Sequence, residues 1–224
     1  MQIQCSGAAV LAVTMALAGS AAAAANGQGP QPVAQAQQLF DAGQYDQALK
    51  AVGEMRDRGA AGLPEAFLAA HAALRLNQND RAKEEFARLT AADDPVWRLV
   101  GESSTAAVDG DRDRAVELAL KAVDEAKAGS GDDPARRLRE FHASYQLGLA
   151  RTRKEEWAGA AEAFARAAEL NPNFAYAHYY AGLSYSRVKR PDQVVRHFEM
   201  FLKLAPKAPE RSAVTSLLRA IRGL

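Results

Sequence analysis

The chain has 224 residues, 48% of them apolar and 25% charged, which is enough to bury a sizeable core. Twenty-eight basic residues against twenty-seven acidic ones leave a net charge of +1, which argues against a protein that wraps nucleic acid and predicts no strong bulk electrostatic partner. A single cysteine, Cys5, excludes a disulfide framework.

Met1 to Ala25 carries no charged side chain, whereas the remainder alternates sign every few residues. Ala8 to Ala18 has the length of a signal-peptide apolar core, and Gly19 to Ala25 supplies the small residues of an A-x-A cleavage site. Residues 1–25 are therefore expected to be a cleaved signal peptide, with a mature chain beginning near Asn26 and located in the periplasm or cell envelope. The leader lacks a basic residue before its apolar core, and the alternative is a retained anchor over Gly7 to Ala25, disfavoured because so much alanine inserts poorly. Membrane association is expected only through such an uncleaved leader. Cys5 precedes the apolar core, so it is not placed as a lipid-attachment site and would leave with the leader. The mature chain then has no thiol for nucleophilic catalysis or metal ligation.

Residues 26–32 (NGQGPQ and Pro32) read as a flexible spacer rich in chain breakers, and helix is predicted from Pro32 or Val33 onward. A short apolar run ending at Phe40 is followed by Gly43 and Tyr45, then by Ala48, Leu49, Val52 and Met55 at helical spacing. Leu63 to Arg75 and Asp80 to Thr90 form a second helix pair, in which Ala82-x3-Phe86 repeats Ala48-x3-Val52 one period of about 34 residues on. Asp94-Pro95 supplies an N-cap and a first-turn proline for a third pair, whose helices are separated by Asp109-Gly110-Asp111. Residues 33–127 thus read as three divergent repeats.

From Ala115 to the equivalent Ala160 the step exceeds this period by about 11 residues, an insertion assigned to residues 128–140. Ala128 to Asp133 is a predicted loop, and Asp133-Pro134 starts a helix that runs on into Phe141. Over residues 141–208 a pattern is then written twice. Gly148 and Gly182, Phe164 and Phe198, and Pro172 and Pro206 are each one such period apart. The first copy reads Ser144-x2-Leu147-Gly148-x2-Arg151, Ala160-x3-Phe164 and Pro172; the second reads His178-x2-Ala181-Gly182-x2-Tyr185, Val194-x3-Phe198 and Pro206. The glycines let a second helix lie close against the first, and the phenylalanines fill the space between paired helices. Residues 209–224 form a last amphipathic helix carrying Val214, Leu217, Leu218 and Ile221.

The length of the period and the order of these residues resemble the tetratricopeptide repeat. The resemblance implies an all-α solenoid, an α-α superhelix of about five helix pairs closed by a capping helix. In the third pair Glu102 and Ser103 stand where Leu147 and Gly148 stand in the fourth, so this pair is expected to pack more loosely. The resemblance further implies a concave surface lined by the first helix of each pair. By alignment that surface takes Phe67, His71, Arg75, Trp97 and Val100, then His142, Tyr145, Leu149 and Arg153, then Tyr176, Tyr179, Leu183 and Arg187. Flat rings beside guanidinium groups suit an extended protein or peptide segment with an acidic side chain. The asparagine-based carboxylate clamp of the family's chaperone-tail binders is not expected, because Asn77, Asn79, Asn171 and Asn173 read as turn residues.

No phosphate-binding loop, H-E-x-x-H, G-x-S-x-G or calcium-loop pattern occurs. His71, His142, His178 and His197 lack i, i+4 pairing and are expected in the core or groove, not as zinc ligands. Glu155-Glu156 and Asp132-Asp133 are read as helix N-terminal acids and not as a general acid/base pair. No cofactor, metal or catalytic residue is predicted. The expected function is a non-catalytic binding or scaffolding module of the envelope. The alternatives are self-assembly through the edge at Ala34 to Phe40 and an envelope enzyme with a site built on the array.

Overall fold

The computed structural model describes residues 32–128 and 133–223, and among these there are eleven α-helices and no strand. The predicted leader, most of the spacer, and Gly129 to Asp132 of the predicted loop lie outside the described residues. The helices pair in chain order: α1 (Pro32–Asp41) with α2 (Tyr45–Asp57), α3 (Leu63–Arg75) with α4 (Asn79–Thr90), and α5 (Pro95–Asp109) with α6 (Arg112–Lys127). Then α7 (Pro134–Arg153) pairs with α8 (Trp157–Leu170) and α9 (Ala175–Arg187) with α10 (Pro191–Leu204), and α11 (Arg211–Arg222) follows. The last helix starts at Arg211, just after Pro209, which lies in the preceding turn.

The repeat is written most plainly in the turns inside each pair. Gly43, Asn77, Gly110, Glu155 and Lys189 all have a positive φ, between 57° and 89°. They stand at one fixed offset before Ala48, Ala82, Ala115, Ala160 and Val194, so the turns follow the sequence repeat step for step, the long step included. In each turn the next residue's N–H donates to the carbonyl five positions back, from Gln44 to Leu39 (2.8 Å) through Arg190 to Tyr185 (3.1 Å). This 6→1 bond satisfies a carbonyl that the end of the first helix leaves orphaned. Glu155 therefore sits in a turn, and Glu156 is the N-cap residue of α8 without a side-chain capping bond.

Asp94 and Asp133 cap α5 and α7 by accepting from the N–H groups of Val96 and Ala135 at 2.9 and 3.0 Å, with Pro95 and Pro134 in the first turn. The inserted residues appear as length: α7 has 20 residues where α3 has 13. The extension is tied back by Arg139 to Asp94 (2.9 Å) and by Glu140 to Arg166 of α8 (2.8 Å).

Gly148 and Gly182 stand where their helices meet the next ones. A Cβ on Gly148 would lie 2.7 Å from the Phe164 ring, and one on Gly182 would lie 2.5 Å from the Phe198 ring. Ala160, Phe164 and Phe198 are fully buried. The consensus departures also have partners: Arg151 donates to the Gly159 carbonyl (3.1 Å), and His178 meets His197 of α10 Nδ1 to Nδ1 at 3.2 Å.

The third pair is not loose. Ser103 is fully buried and donates its hydroxyl to the Ala115 carbonyl of α6 (2.8 Å), while Gln146 Nε2 donates to the same hydroxyl (3.1 Å). A serine fits at this contact because the facing helix supplies its acceptor, so its buried hydroxyl is matched. Just before it, Gly101 lies so close to α4 that a Cβ would stand 2.6 Å from the Thr90 nitrogen.

The first pair meets the last. Phe40 packs edge-on against Tyr176 with ring centroids 5.2 Å apart, and the Tyr45 and Tyr176 hydroxyls are 3.3 Å apart. Arg75 Nε donates to Tyr45 (2.9 Å), its guanidinium pairs with Glu210, and the Tyr176 hydroxyl donates to Glu210 (2.9 Å). The Arg75 cation also lies over the Tyr45 and Tyr176 rings, at 5.2 and 5.4 Å. At Gly43, φ is +75° and a Cβ would stand 2.5 Å from the Pro209 ring, so both backbone and space require glycine there.

Candidate functional site: the concave cavity

Within the array the first helices surround a cavity of about 150 Å³. Phe40, Leu74, Phe86 and Leu149 give it apolar walls, and His71, Arg75, Tyr145, Tyr180 and Arg153 give it polar edges. Arg75 contributes to the cavity and to the closing contact at once, because its charge is taken by Glu210.

The residues expected on the concave face divide into two groups. Phe67, Trp97, Val100, His142, Tyr145 and Tyr176 are buried, at 6% exposure or less, and are packing residues and not a contact surface. Tyr145 is held edge-on by Phe67, His71, Phe164, Phe174 and Tyr180, with centroids 5.1 to 6.1 Å apart. The physical reason is the closing contact, which brings the inner faces of the first helices together so that an inward-pointing ring becomes a core ring. His71, Arg75, Leu149, Tyr179 and Leu183 are half-buried, while Arg153 and Arg187 are exposed. His71, Arg75, Tyr145, Leu149 and Arg153 come together at the cavity. Leu183 and Tyr179 instead pack with the α9–α10–α11 core, and Arg187 lies over the Trp157 ring at 5.1 Å.

The polar groups are tuned by burial. His71 is pushed down to about 3, first by burial and then by the nearby His142 and Arg153, and its Nε2 is buried without a hydrogen-bond partner among the described residues. His142 is pushed down to about 4 by burial, although its Nδ1 lies 2.8 Å from the Leu138 carbonyl. Both imidazoles are therefore neutral at pH 7. Burial likewise raises Tyr145 and Tyr180, which stay protonated. Arg153 donates to the Ala107 carbonyl (3.2 Å) near the C-terminus of α5, and among the described residues no carboxylate lies within salt-bridge distance of it.

Several contributors were not visible in the alignment. Gln146 and Tyr180 stand one repeat period apart, each one position after the selected Tyr145 and Tyr179, so the repeat itself held the signal. Tyr45 and Glu210 meet their partners only through long-range closure. Among the described residues no three His, Cys, Asp or Glu side chains gather in a way that could hold a metal ion. No described helix is long and apolar enough to cross a membrane.

Among solved structures, the chain is similar to a thermophilic TPR protein of Thermus thermophilus. The match has a TM-score of 0.53 and 19% identity, and it covers 86% of this chain and 98% of the other. The chain has the tetratricopeptide-repeat fold. It is also similar to the APC/C hetero-tetramer Cut9–Hcn1, with a TM-score of 0.52 and 17% identity over 85% of this chain and 35% of that one. A structure of MamA aligns with a TM-score of 0.42 and 23% identity, covering 82% and 94%. No protein-family model matches the chain. No curated protein sequence matches it.

Proposed function

We propose that the chain is a non-catalytic protein-interaction module, exported to the cell envelope, that contacts a segment of a partner protein with the solvent-accessible part of its concave face. One observation supports this most: Leu149 with Arg153 and Leu183 with Arg187 are the same pair one repeat period on, and both pairs keep surface available while Tyr145 and Tyr176 of the same helices are buried. A repeated apolar residue one turn before a guanidinium suits an extended segment with apolar and acidic side chains. The export part of the reading rests on the uncharged, small-residue leader. Self-assembly through Ala34 to Phe40 is less well supported, since Ala36 and Phe40 are already buried by the chain itself.

The test is affinity capture from the native envelope with wild type and with the Arg153→Gln/Arg187→Gln double variant. Wild type concentrates a protein that the variant holds more weakly and with a flatter salt dependence, while the two proteins melt alike. Equal capture by both refutes the surface. The intact mass of the exported chain checks the leader: retention of Cys5 favours the anchor.

A further inference from the structure

The cavity carries a charge that packing alone does not explain. Of its two arginines, Arg75 is neutralised by Glu210, whereas Arg153, among the described residues, donates to a backbone carbonyl and pairs with no carboxylate. His71 also lines the cavity, and its Nε2 is buried and unmatched by any group of the described residues. Burial is the main cause that keeps His71 neutral, and the Arg153 charge adds to it, while both residues line the same cavity. A neutral imidazole offers a single N–H donor, and a guanidinium offers a fork of donors with a full positive charge. One anion with two acceptor oxygens would satisfy both.

The remaining features define what carries that anion. A volume of about 150 Å³ is of the order that an aromatic ring fills. The walls at Phe40, Leu74, Phe86 and Leu149 favour an apolar body. One side of the cavity belongs to the closing contact, through Phe40 against Tyr176 and Arg75 against Glu210, which an extended chain would have to break. We propose that the cavity is a binding site for a small free monocarboxylate with an apolar body, its carboxylate held by Arg153 and His71. The site shares Leu149 and Arg153 with the proposed partner surface but takes a different ligand, and it does not rest on that reading.

Benzoate is the probe, titrated against the purified full chain by calorimetry and by nitrogen-15 NMR. Benzamide is the uncharged isostere, acetate is the carboxylate without a body, and an acetylated glutamate-containing peptide is the alternative source of the carboxylate. Benzoate is expected to bind saturably and to shift the Leu149 and His71 amides. Benzamide and acetate are each expected to bind at least about tenfold more weakly. Arg153→Gln lowers benzoate affinity by about tenfold or more, and Arg153→Lys recovers part of it. Arg187→Gln leaves it unchanged. Because Arg153 is exposed, its substitution does not threaten the fold. Absence of benzoate binding, equal binding of benzamide, indifference to Arg153, or binding of the peptide alone each overturns the proposal. Failure of the envelope capture leaves it standing.

Discussion

Gly182 offers the sharpest test of how the helices pair. Replacing it by alanine places a Cβ 2.5 Å from two carbons of the Phe198 ring. Ordinary carbon contacts fall at about 3.5–4.0 Å, so ring or helix must move by about 1 Å. Phe198 is fully buried in the α9–α10–α11 core, and its neighbours limit that movement. Overpacking of this kind costs about 1–3 kcal/mol, while loss of a mid-helix glycine returns about 1 kcal/mol of helix propensity. The net expectation is a destabilisation of about 1 kcal/mol, or a fall in Tm of about 2–4 °C for a chain of this size. Gly53, inside α2, is the internal control, since a Cβ there meets nothing within 4 Å. Gly53→Ala therefore shows propensity alone and raises Tm by roughly the same amount. Melting followed by circular dichroism measures both, and the pairing of Gly182→Ala with Phe198→Leu recovers part of the loss. A Gly182→Ala protein that melts at or above wild type would falsify the close contact.

At Lys189, with φ of 57°, glycine is relieved of the left-handed penalty, so Lys189→Gly stabilises by up to about 1 kcal/mol, a rise in Tm of up to about 2–4 °C, and Lys189→Val lowers Tm. Asp41 is pushed up to about 7 by burial, against which its bond from Gln37 works. Its folded pKa lies above its ordinary 3.8, so it penalises the fold increasingly from about pH 4 to 7 and fully above that. Asp41→Asn thus stabilises by a few kcal/mol at most at pH 8 and by almost nothing below pH 4, as urea titrations at the two pH values will show. Glu210→Gln removes the carboxylate that Arg75 and Tyr176 share, costs about 1–3 kcal/mol, and speeds hydrogen exchange in α11 and at the α1–α2 turn. Unchanged exchange at those amides refutes the closing contact.

Much of the fold was legible because each repeat is decided locally. The small residues at Gly148, Ala160 and Gly182, the large ones at Phe164 and Phe198, and the caps at Asp94 and Asp133 act within a pair of helices. Their spacing survives in a single sequence. Ser103 shows where that logic stops: read against a glycine template it signals a gap, whereas its hydroxyl finds the Ala115 carbonyl across the helix contact. Whether a polar side chain weakens a contact depends on an acceptor supplied by another segment, which residue type alone does not reveal.

The site was less legible because it depends on how small rotations add up along the array. Each pair turns relative to the last, and the sum decides whether the concave face is an open trough or a filled centre. Here the sum brings Phe40 and Tyr45 against Tyr176, 131 residues from Tyr45, and Arg75 against Glu210, 135 residues on. The consequence for each inward-facing residue then follows from its length and chemistry. Tyr145 points inward and meets rings from α3, α8 and α9, so it enters the core. Arg153, two turns further along the same helix, is long and always charged, so it keeps its head at the edge of the cavity instead of being dehydrated within it. The alignment could name both as concave residues. Only closure separates the ring that enters the core from the cation that stays at the cavity edge.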